Sequence, residues 1–313
     1  MALGVAASTA ALADGGLDLS LPSAPMPLQP AVADTAMVAD PAAAASSVTG
    51  WGARAARVRE TQPSWSSPLV TSTGLLEQRL RFDLQQQSAG NGTGTTVIDS
   101  GKGVDVIVSD SNEIQIGAIP YSLRSGSAGS SGRAGVASAA GVNDWAFLRV
   151  KQRLASAPAE AGNYILTALL QVQAPAGAAS FTNNTWVWIP TLAAGKGWGD
   201  FDIQATVGGS IPASRAGVIG YQVQTNLALQ YRFMRLFWPQ LEINWTYYAN
   251  GRRGGLNQVY LTPGLVLGRF ALTDRVRFSI GLGYQSAVAP AYRPTPLTPA
   301  YNHAWILSTR MNF

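Results

Sequence analysis

The sequence has little charge, one histidine, no cysteine and no long apolar run. Charged residues make up 12% of the 313 residues, about half the level usual in soluble domains. Without cysteine there are no disulfides, no thiolate nucleophile and no cysteine metal site. No stretch offers the ~18–20 uninterrupted apolar residues that a membrane helix needs. These absences leave few groups for catalysis or metal binding, and they exclude a membrane-spanning helix.

Low charge without a spanning helix is typical of a membrane β-barrel, in which apolar residues occupy alternate strand positions. The net charge of +5 is modest and scattered along the chain. No basic run contains interleaved aromatic residues, so we expect no nucleic-acid partner.

The last residues, "AYNHAWILSTRMNF", alternate between apolar and polar side chains. A period of two predicts a strand with two different faces. We predict that this strand closes an antiparallel barrel, because a free sheet edge is not tolerated in a bilayer. Its apolar face then meets outer-membrane lipid, and the strand is the expected contact for the barrel-assembly machinery. The predicted barrel-closing signature consists of Trp305, Leu307, Met311 and Phe313.

Other segments alternate in the same way, "QLEINWTYY" most clearly. Leu241, Ile243, Trp245 and Tyr247 share one face, and the residues between them are polar. A soluble sandwich would also alternate. However, the apolar faces end in aromatic residues, as at the two membrane interfaces, and the polar faces contain little Lys or Glu.

The sequence therefore predicts an all-β, transmembrane, antiparallel up-and-down barrel of about 12 strands, of the outer-membrane type. Short connections are expected on the periplasmic side and long loops outside. The predicted strands lie near 75–86, 102–109, 112–121, 143–154, 163–174, 181–189, 199–209, 217–233, 237–249, 256–269, 274–288 and 301–313.

The part before the barrel differs in composition. Residues 1–13 resemble the end of a signal peptide with a small-residue cleavage site. Residues 14–73 are rich in Ala, Pro and Ser, which predicts a disordered linker, a periplasmic tail or a plug in the lumen. The barrel is assigned to residues 74–313.

Four stretches carry a family resemblance: "NDWAFLRVKQRL", "LLQVQAPAG", "GKGWGDFDIQATVG" and the C-terminal aromatic residue. The span from Gly74 to Phe313 resembles the meta-pathway phenol-degradation family of transporter-like outer-membrane barrels. It departs from the family pattern at Asn143, where Gly is usual, and at Ala176, where Thr is usual.

The resemblance implies passive uptake of small hydrophobic or aromatic compounds through a channel in the outer membrane of a Gram-negative bacterium. No substrate-binding residues carry over, because these motifs mark turns and strand ends. The alternative is a structural or partner-binding barrel with an occluded lumen.

Charged residues on the polar faces are the candidate lumen-lining groups. They form either a mutually neutralising ladder or a constriction that orients a carboxylate or phenolate solute. Glu77 and Asp83 face the same way, and the main candidates are Arg149, Lys151, Arg153, Asp200, Asp202, Arg232, Glu242, Arg275, Arg277 and Arg310.

Three further sequence features bear on function. Pro263 cannot donate to a sheet ladder, so Pro263 and Gly264 predict a bulge, with a lateral gap for a hydrophobic solute as the functional alternative. "GKGWG" lacks the context of a phosphate loop and is read as a tight turn. His303, the only histidine, is expected at the outer rim. We therefore predict no enzyme activity, no metal and no cofactor.

Overall fold

The computed structural model describes residues 41–99, 102–126, 135–291 and 300–313. Within these ranges the chain forms one antiparallel sheet that closes on itself. The strands are β1 (Arg79–Ser88), β2 (Gly94–Ile98), β3 (Gly103–Ile107), β4 (Asn112–Gly117), β5 (Tyr121–Arg124), β6 (Ala139–Val142), β7 (Trp145–Ala157), β8 (Tyr164–Ala174), β9 (Val187–Trp198), β10 (Phe201–Pro212), β11 (Gln222–Tyr231), β12 (Phe237–Tyr248), β13 (Asn257–Ala271), β14 (Arg277–Ala289) and β15 (His303–Asn312).

These segments make a closed barrel of 12 strands. Three of the 12 strands are interrupted, so each consists of two consecutive segments: β2 with β3, β4 with β5, and β6 with β7. The barrel closes where β1 pairs with β15, from Arg79 opposite Asn312 to Ser88 opposite His303. The predicted fold class and the closing role of the last strand are confirmed.

Helices are few. α1 spans Pro41–Glu60 and α2 spans Ala216–Ile219, with two 3₁₀ turns at Ala159–Ala161 and Gly251–Arg253. In the part of the chain that the structure describes, no helix is long and apolar enough to cross a membrane.

The connections differ in length between the two ends of the barrel. One end, which we call the short-turn end, holds the connections 108–111, 158–163, 199–200, 232–236 and 272–276. The opposite, long-loop end holds 89–93, 125–138, 175–186, 213–221, 249–256 and 290–302. This is the asymmetry expected of outer-membrane barrels.

The outer surface of the barrel wall is apolar. Leu282 at mid-strand is 52% exposed, and Leu241 and Trp245 on β12 are each 38% exposed. Aromatic residues cluster toward both ends: Trp198, Phe201, Tyr231, Phe233 and Phe237 near the short-turn end, and Trp186, Trp188, Tyr221 and Trp305 near the long-loop end. The alternation predicted for β11, β12 and β14 is present in the structure.

The interior is polar, the reverse of a soluble domain. Gln204, Gln230, Gln240 and Glu242 are almost completely buried on the inward faces of β10, β11 and β12. Such a barrel presents hydrocarbon-compatible side chains outward and hydrogen-bonding groups inward.

Strand boundaries differ from the sequence-based prediction at three places. β2 and β6 lie within stretches predicted as long loops, and the strand predicted at 181–189 is β9, Val187–Trp198. Most of "GKGWG" belongs to β9, where Gly197 pairs with Asp202, and the turn is confined to residues 199–200. Glycine suggested a turn there, but its role is to make room inside the barrel, as described below.

Candidate functional site: a divided lumen

Residues 61–78, which we call the inner segment, run inside the barrel before entering β1. Trp65, Leu69, Leu75 and Leu76 are each at most 7% exposed. The segment has no regular secondary structure, so its backbone groups need partners from the barrel wall. The inner segment therefore divides the lumen into two spaces.

Glu242 of β12 binds the inner segment through consecutive backbone amides. Its carboxylate accepts hydrogen bonds from Leu69 N at 2.7 Å, from Val70 N at 3.0 Å and from Thr71 N. Gln240 Nε2 donates to the same carboxylate at 2.8 Å. Glu242 is fully buried, and a buried carboxylate without such donors would be costly. These four donors stabilise the charge and fix the tip of the inner segment.

Two arginines on the neighbouring closing strands β15 and β1 bind the carbonyls next to those amides. Arg310 of β15 donates to Ser67 O and, at 2.9 Å, to Pro68 O. Arg81 of β1 donates to Pro68 O at 3.2 Å and to Leu69 O. The backbone dipoles at 67–71 thus point their positive ends at Glu242 and their negative ends at the arginines. We call this arrangement the clamp.

Glycines in the wall accept the large side chains of the inner segment. A Cβ on Gly264, Gly281 or Gly283 would lie 2.5–2.7 Å from a terminal carbon of Leu69. A Cβ on Gly195 would lie 2.5 Å from the Trp65 ring. The abundance of glycine in β9, β13 and β14 is thereby explained, because any side chain there would displace the inner segment.

The rest of the inner segment is hydrogen-bonded to three further strands, β7, β8 and β10. Gln204 Nε2 donates to Ser66 O at 2.9 Å, and Thr167 Oγ1 donates to Gly74 O at 2.6 Å. Lys151 Nζ donates to Leu75 O at 2.8 Å. The inner segment is therefore held on nearly all sides of the barrel.

Helix α1 lies against the short-turn end. Arg54 donates to Val108 O at 2.9 Å, and Val58 packs with Ile107 and Leu76. The Trp51 ring contacts the Phe313 ring edge-to-face at 6.4 Å. Helix α1 thus covers part of the short-turn end on the side of β3, β4 and the C-terminus.

Buried ion pairs line the wall between β1 and β7. Lys151 and Glu113 lie 2.9 Å apart, with side chains 2% and 0% exposed. Arg79 pairs with Asp105 at 2.6 Å and with Glu77. Arg81 pairs with Asp83 at 2.8 Å. This is the geometry of a neutralising ladder, concentrated on one sector of the barrel.

On the long-loop side of the inner segment lies a chamber of about 230 Å³. Its floor is Val70 and Ser72, and its charged lining groups are Lys102 and Arg149. Arg149 Nε donates to Gln171 at 3.0 Å. No carboxylate side chain is among the described residues that line this space. The chamber therefore has two basic side chains in its lining, with Gln224, Asn226, Thr191 and Thr206 on its walls beside the apolar Leu169 and Ile189.

On the other side of the inner segment, at the short-turn end, lies a cavity of about 330 Å³. Ten of its lining residues belong to the inner segment, at 62–67 and 75–78, and the rest come from α1, β13, β14, β15 and the turn 272–276. Its lining includes Arg269, Arg275, Arg277 and Arg310. We call it the arginine cavity.

The predicted lumen-lining residues fall into three groups. Lys151, Asp202, Glu242 and Arg310 are buried inside, and Arg149 lines the chamber. Arg275 and Arg277 line the arginine cavity. The remaining three lie at the short-turn rim rather than deep in the lumen: Arg153, Asp200 and Arg232.

The rim placement has a simple cause, since these residues stand at strand ends. Asp200 and Arg232 pair with each other at 2.6 Å, with side chains 48% and 36% exposed. Arg153 donates to Thr61 Oγ1 at 3.1 Å beside the entry of the inner segment. The residues predicted from the sequence do not include Lys102, Asp105 and Glu113, although Asp105 in β3 and Glu113 in β4 alternate with apolar neighbours.

Pro263 and Gly264 do not form a bulge. β13 keeps one register across them, with Leu261 opposite Ser286 and Gly264 opposite Gly283. The register shifts of β13 lie elsewhere, between Val259 and Tyr260 and between Gly268 and Phe270. The missing amide of Pro263 leaves a gap in pairing to β14 at positions 262 and 263 without changing the register.

The barrel-closing residues and the histidine face outward. Trp305, Leu307 and Met311 are 53%, 36% and 37% exposed, and Phe313 is half-buried against α1. His303 stacks on Tyr284, with ring centroids 5.8 Å apart, near the long-loop end.

No protein-family model and no curated protein matches this chain, so the resemblance to the meta-pathway phenol-degradation family stays a prediction. Solved structures with a similar arrangement include the NanC porin (9% identity, 74% of this chain and 98% of that chain, TM-score 0.44). Another is the COG4313 outer membrane channel from Pseudomonas putida F1 (13% identity, 79% and 98%, TM-score 0.45). A third is the KdgM porin (7% identity, 75% and 99%, TM-score 0.39).

Proposed function

We propose that the protein is an outer-membrane channel for passive uptake of small aromatic or otherwise apolar compounds that carry a carboxylate or phenolate. The observation that supports this most strongly is the closed barrel with an apolar exterior and a positively charged chamber inside. An apolar outer face with a polar interior is the arrangement of a bilayer-spanning barrel. Lys102 and Arg149 give the chamber its preference for anions.

Passage requires the inner segment to shift. Its tip is bound by Glu242 of β12 and by Arg81 and Arg310 of β1 and β15. In the proposed function the clamp is a gate that opens transiently, and the two spaces on either side of it are the entry and exit vestibules.

A structural or partner-binding barrel with an occluded lumen is the second candidate. The observation that favours it is the completeness of the clamp, in which both the amides and the carbonyls of residues 67–71 are bound by charged side chains. Such a barrel would expose its long loops for a partner and conduct no solute.

Conductance in planar bilayers separates the two functions. With a salt gradient across the bilayer, we expect the purified protein to give ion currents whose reversal potential indicates anion preference. Replacing Lys102 and Arg149 together by Gln removes both charges of the chamber and should shift the reversal potential toward non-selectivity.

Arg252→Gln is the matched control, since Arg252 is an exposed arginine at the long-loop end, outside the chamber. It should leave selectivity unchanged. If the protein gives no current, and if none appears when docking of the inner segment is weakened by Glu242→Gln, the occluded barrel is favoured.

Location is tested by cell fractionation and by gel mobility. An outer-membrane barrel should fractionate with the outer membrane and migrate differently on gels before and after boiling.

The lateral exit at Pro263 remains a separate proposal, and unaltered uptake by Pro263→Val would contradict it.

A further inference from the structure

The arginine cavity collects positive charge that the described carboxylates do not neutralise. Its lining contains Arg59, Arg269, Arg275, Arg277 and Arg310. Arg59 donates to Phe313 O, whereas none of the other four arginines lies within 4.0 Å of a side-chain carboxylate of the described residues. Glu77 also lines the cavity, but it is engaged by Arg79 and by Ser67 Oγ at 2.6 Å.

The positive charges are close enough to affect one another. Partial burial, followed by the neighbouring charge of Arg277, lowers the pKa of Arg59 from its ordinary value. Arg269 is held by two contacts, one to Trp65 O at 2.6 Å and one over the Trp238 ring at 5.4 Å. These contacts position the guanidinium without cancelling its charge.

One wall of the same cavity is apolar. Trp65, Leu75 and Leu76 line it and are 7%, 3% and 1% exposed. Arg275 and Arg277, in contrast, are exposed to solvent. An arriving molecule would therefore meet two free guanidinium groups at the mouth and an apolar surface deeper inside.

We propose that the arginine cavity is a binding site for a small carboxylate with an apolar body, such as an aromatic or short branched acid. The volume of about 330 Å³ suits a compound of this size. Guanidinium groups bind carboxylates through paired N–H donors, and the apolar wall covers the body of the ligand. An inorganic anion would use the arginines but not the apolar wall.

Occupancy of this site acts on the clamp. Arg310 faces the arginine cavity and donates to Ser67 O and Pro68 O of the inner segment. A carboxylate in the cavity competes with these carbonyls for Arg310 and loosens one half of the clamp. This consequence rests on the proposed channel function, whereas the binding itself does not.

Binding is measured first, by titration calorimetry of the full chain in detergent micelles, with empty micelles as the blank. The probes are benzoate, its uncharged analogue benzyl alcohol, and inorganic phosphate. We expect benzoate to bind, benzyl alcohol to show no saturable binding, and phosphate to bind about tenfold more weakly or not at all.

Arg275→Ser combined with Arg277→Ser removes the two exposed guanidinium groups. Neither side chain hydrogen-bonds the inner segment in the structure, so the fold should survive, as checked by the gel shift on boiling. We expect benzoate affinity to fall by about tenfold or more. If the double variant does not fold, Arg275→Ser alone in the turn 272–276 serves instead, with a smaller loss expected.

Arg235→Gln is the matched control, because Arg235 is exposed at the same end but lies outside the cavity. It should bind benzoate normally. The proposal is wrong if benzoate does not bind, or if benzyl alcohol or phosphate binds as tightly as benzoate. It is also wrong if Arg235→Gln loses as much benzoate affinity as the Arg275/Arg277 variant. Bilayer currents with and without benzoate are recorded separately, so that a protein that binds but does not conduct refutes the channel and not the site.

Discussion

Replacing Glu242 by Gln tests whether the clamp holds the inner segment. The change keeps the size of the side chain but removes the charge and one acceptor oxygen. In the structure this carboxylate accepts from the amides of Leu69, Val70 and Thr71 and is fully buried. A hydrogen bond to a charged group contributes about 1.5–3 kcal/mol, and an unsatisfied buried donor costs about 1–3 kcal/mol.

We expect docking of the inner segment to weaken by about 3 kcal/mol, because glutamine retains one oxygen for the three amides. This corresponds to a roughly 150-fold change in the docking equilibrium. The loss should remain local, since the barrel ladder around Glu242 pairs with both β11 and β13 through backbone groups.

Hydrogen exchange at the amides of Leu69, Val70 and Thr71 measures this opening directly. In the variant, exchange at these three amides should accelerate by up to the same roughly 150-fold. Conductance in planar bilayers should increase in parallel. Asp200→Asn is the control, because it removes a carboxylate that pairs with Arg232 at the exposed rim, far from the clamp. Unchanged exchange at 69–71 in a folded Glu242→Gln protein would refute the role assigned to Glu242.

Three further predictions concern the wall glycines beside Leu69, the outer face of the barrel and the buried ion pairs. Gly281→Ala combined with Gly283→Ala places methyl groups 2.5–2.7 Å from Leu69 and should raise conductance, because it displaces the inner segment. Adding Leu69→Ala should reverse this effect. The control is Gly209→Ala, which should leave conductance unchanged because the nearest atom to its new Cβ is 3.6 Å away. Leu282→Lys puts a charge on the outer face and should destabilise the folded protein in bilayers by about 2–4 kcal/mol, as measured by urea titration. The control is Leu272→Lys, in a turn, which should destabilise the protein by less than about 1 kcal/mol. Equal destabilisation by the two variants would contradict a lipid-facing Leu282. Glu113→Gln leaves the Lys151 ammonium buried without its partner and should lower the free energy of unfolding by about 3–5 kcal/mol. Adding Lys151→Met should recover most of that stability. No recovery would mean that the destabilisation does not come from the unpaired ammonium.

Much of the barrel was predictable because one face of each strand meets a different solvent from the other. In β11, β12 and β14 the alternation of apolar and polar side chains is nearly complete, and both the strands and their faces were predicted. β2 and β6 were missed because they lie beyond the apolar belt, where alternation is no longer required. Their sequences, "GTTVI" and "AAGV", carry glycine and alanine that suggested loops.

The clamp was not predictable from the sequence. Glu242 could be assigned to the inward face of β12, but its partners are backbone amides about 170 positions earlier in the chain. Backbone groups leave no pattern in the sequence, and the inner segment has no periodicity because it follows no regular structure. The glycines at 195 and 264 were visible in the sequence, but they suggested a turn and a bulge rather than a surface complementary to the inner segment.

The seam between β1 and β15 has a consequence for how the molecule is assembled. The inner segment is joined directly to β1, and β1 is one side of the last pairing that makes the cylinder continuous. Before β1 and β15 pair, the sheet is open at one edge, and the inner segment can contact the strands that bind it from that side. Once the seam has formed, the only remaining way in is end-on, past α1. We therefore expect the inner segment to dock against the open sheet before the last strand pairs with β1.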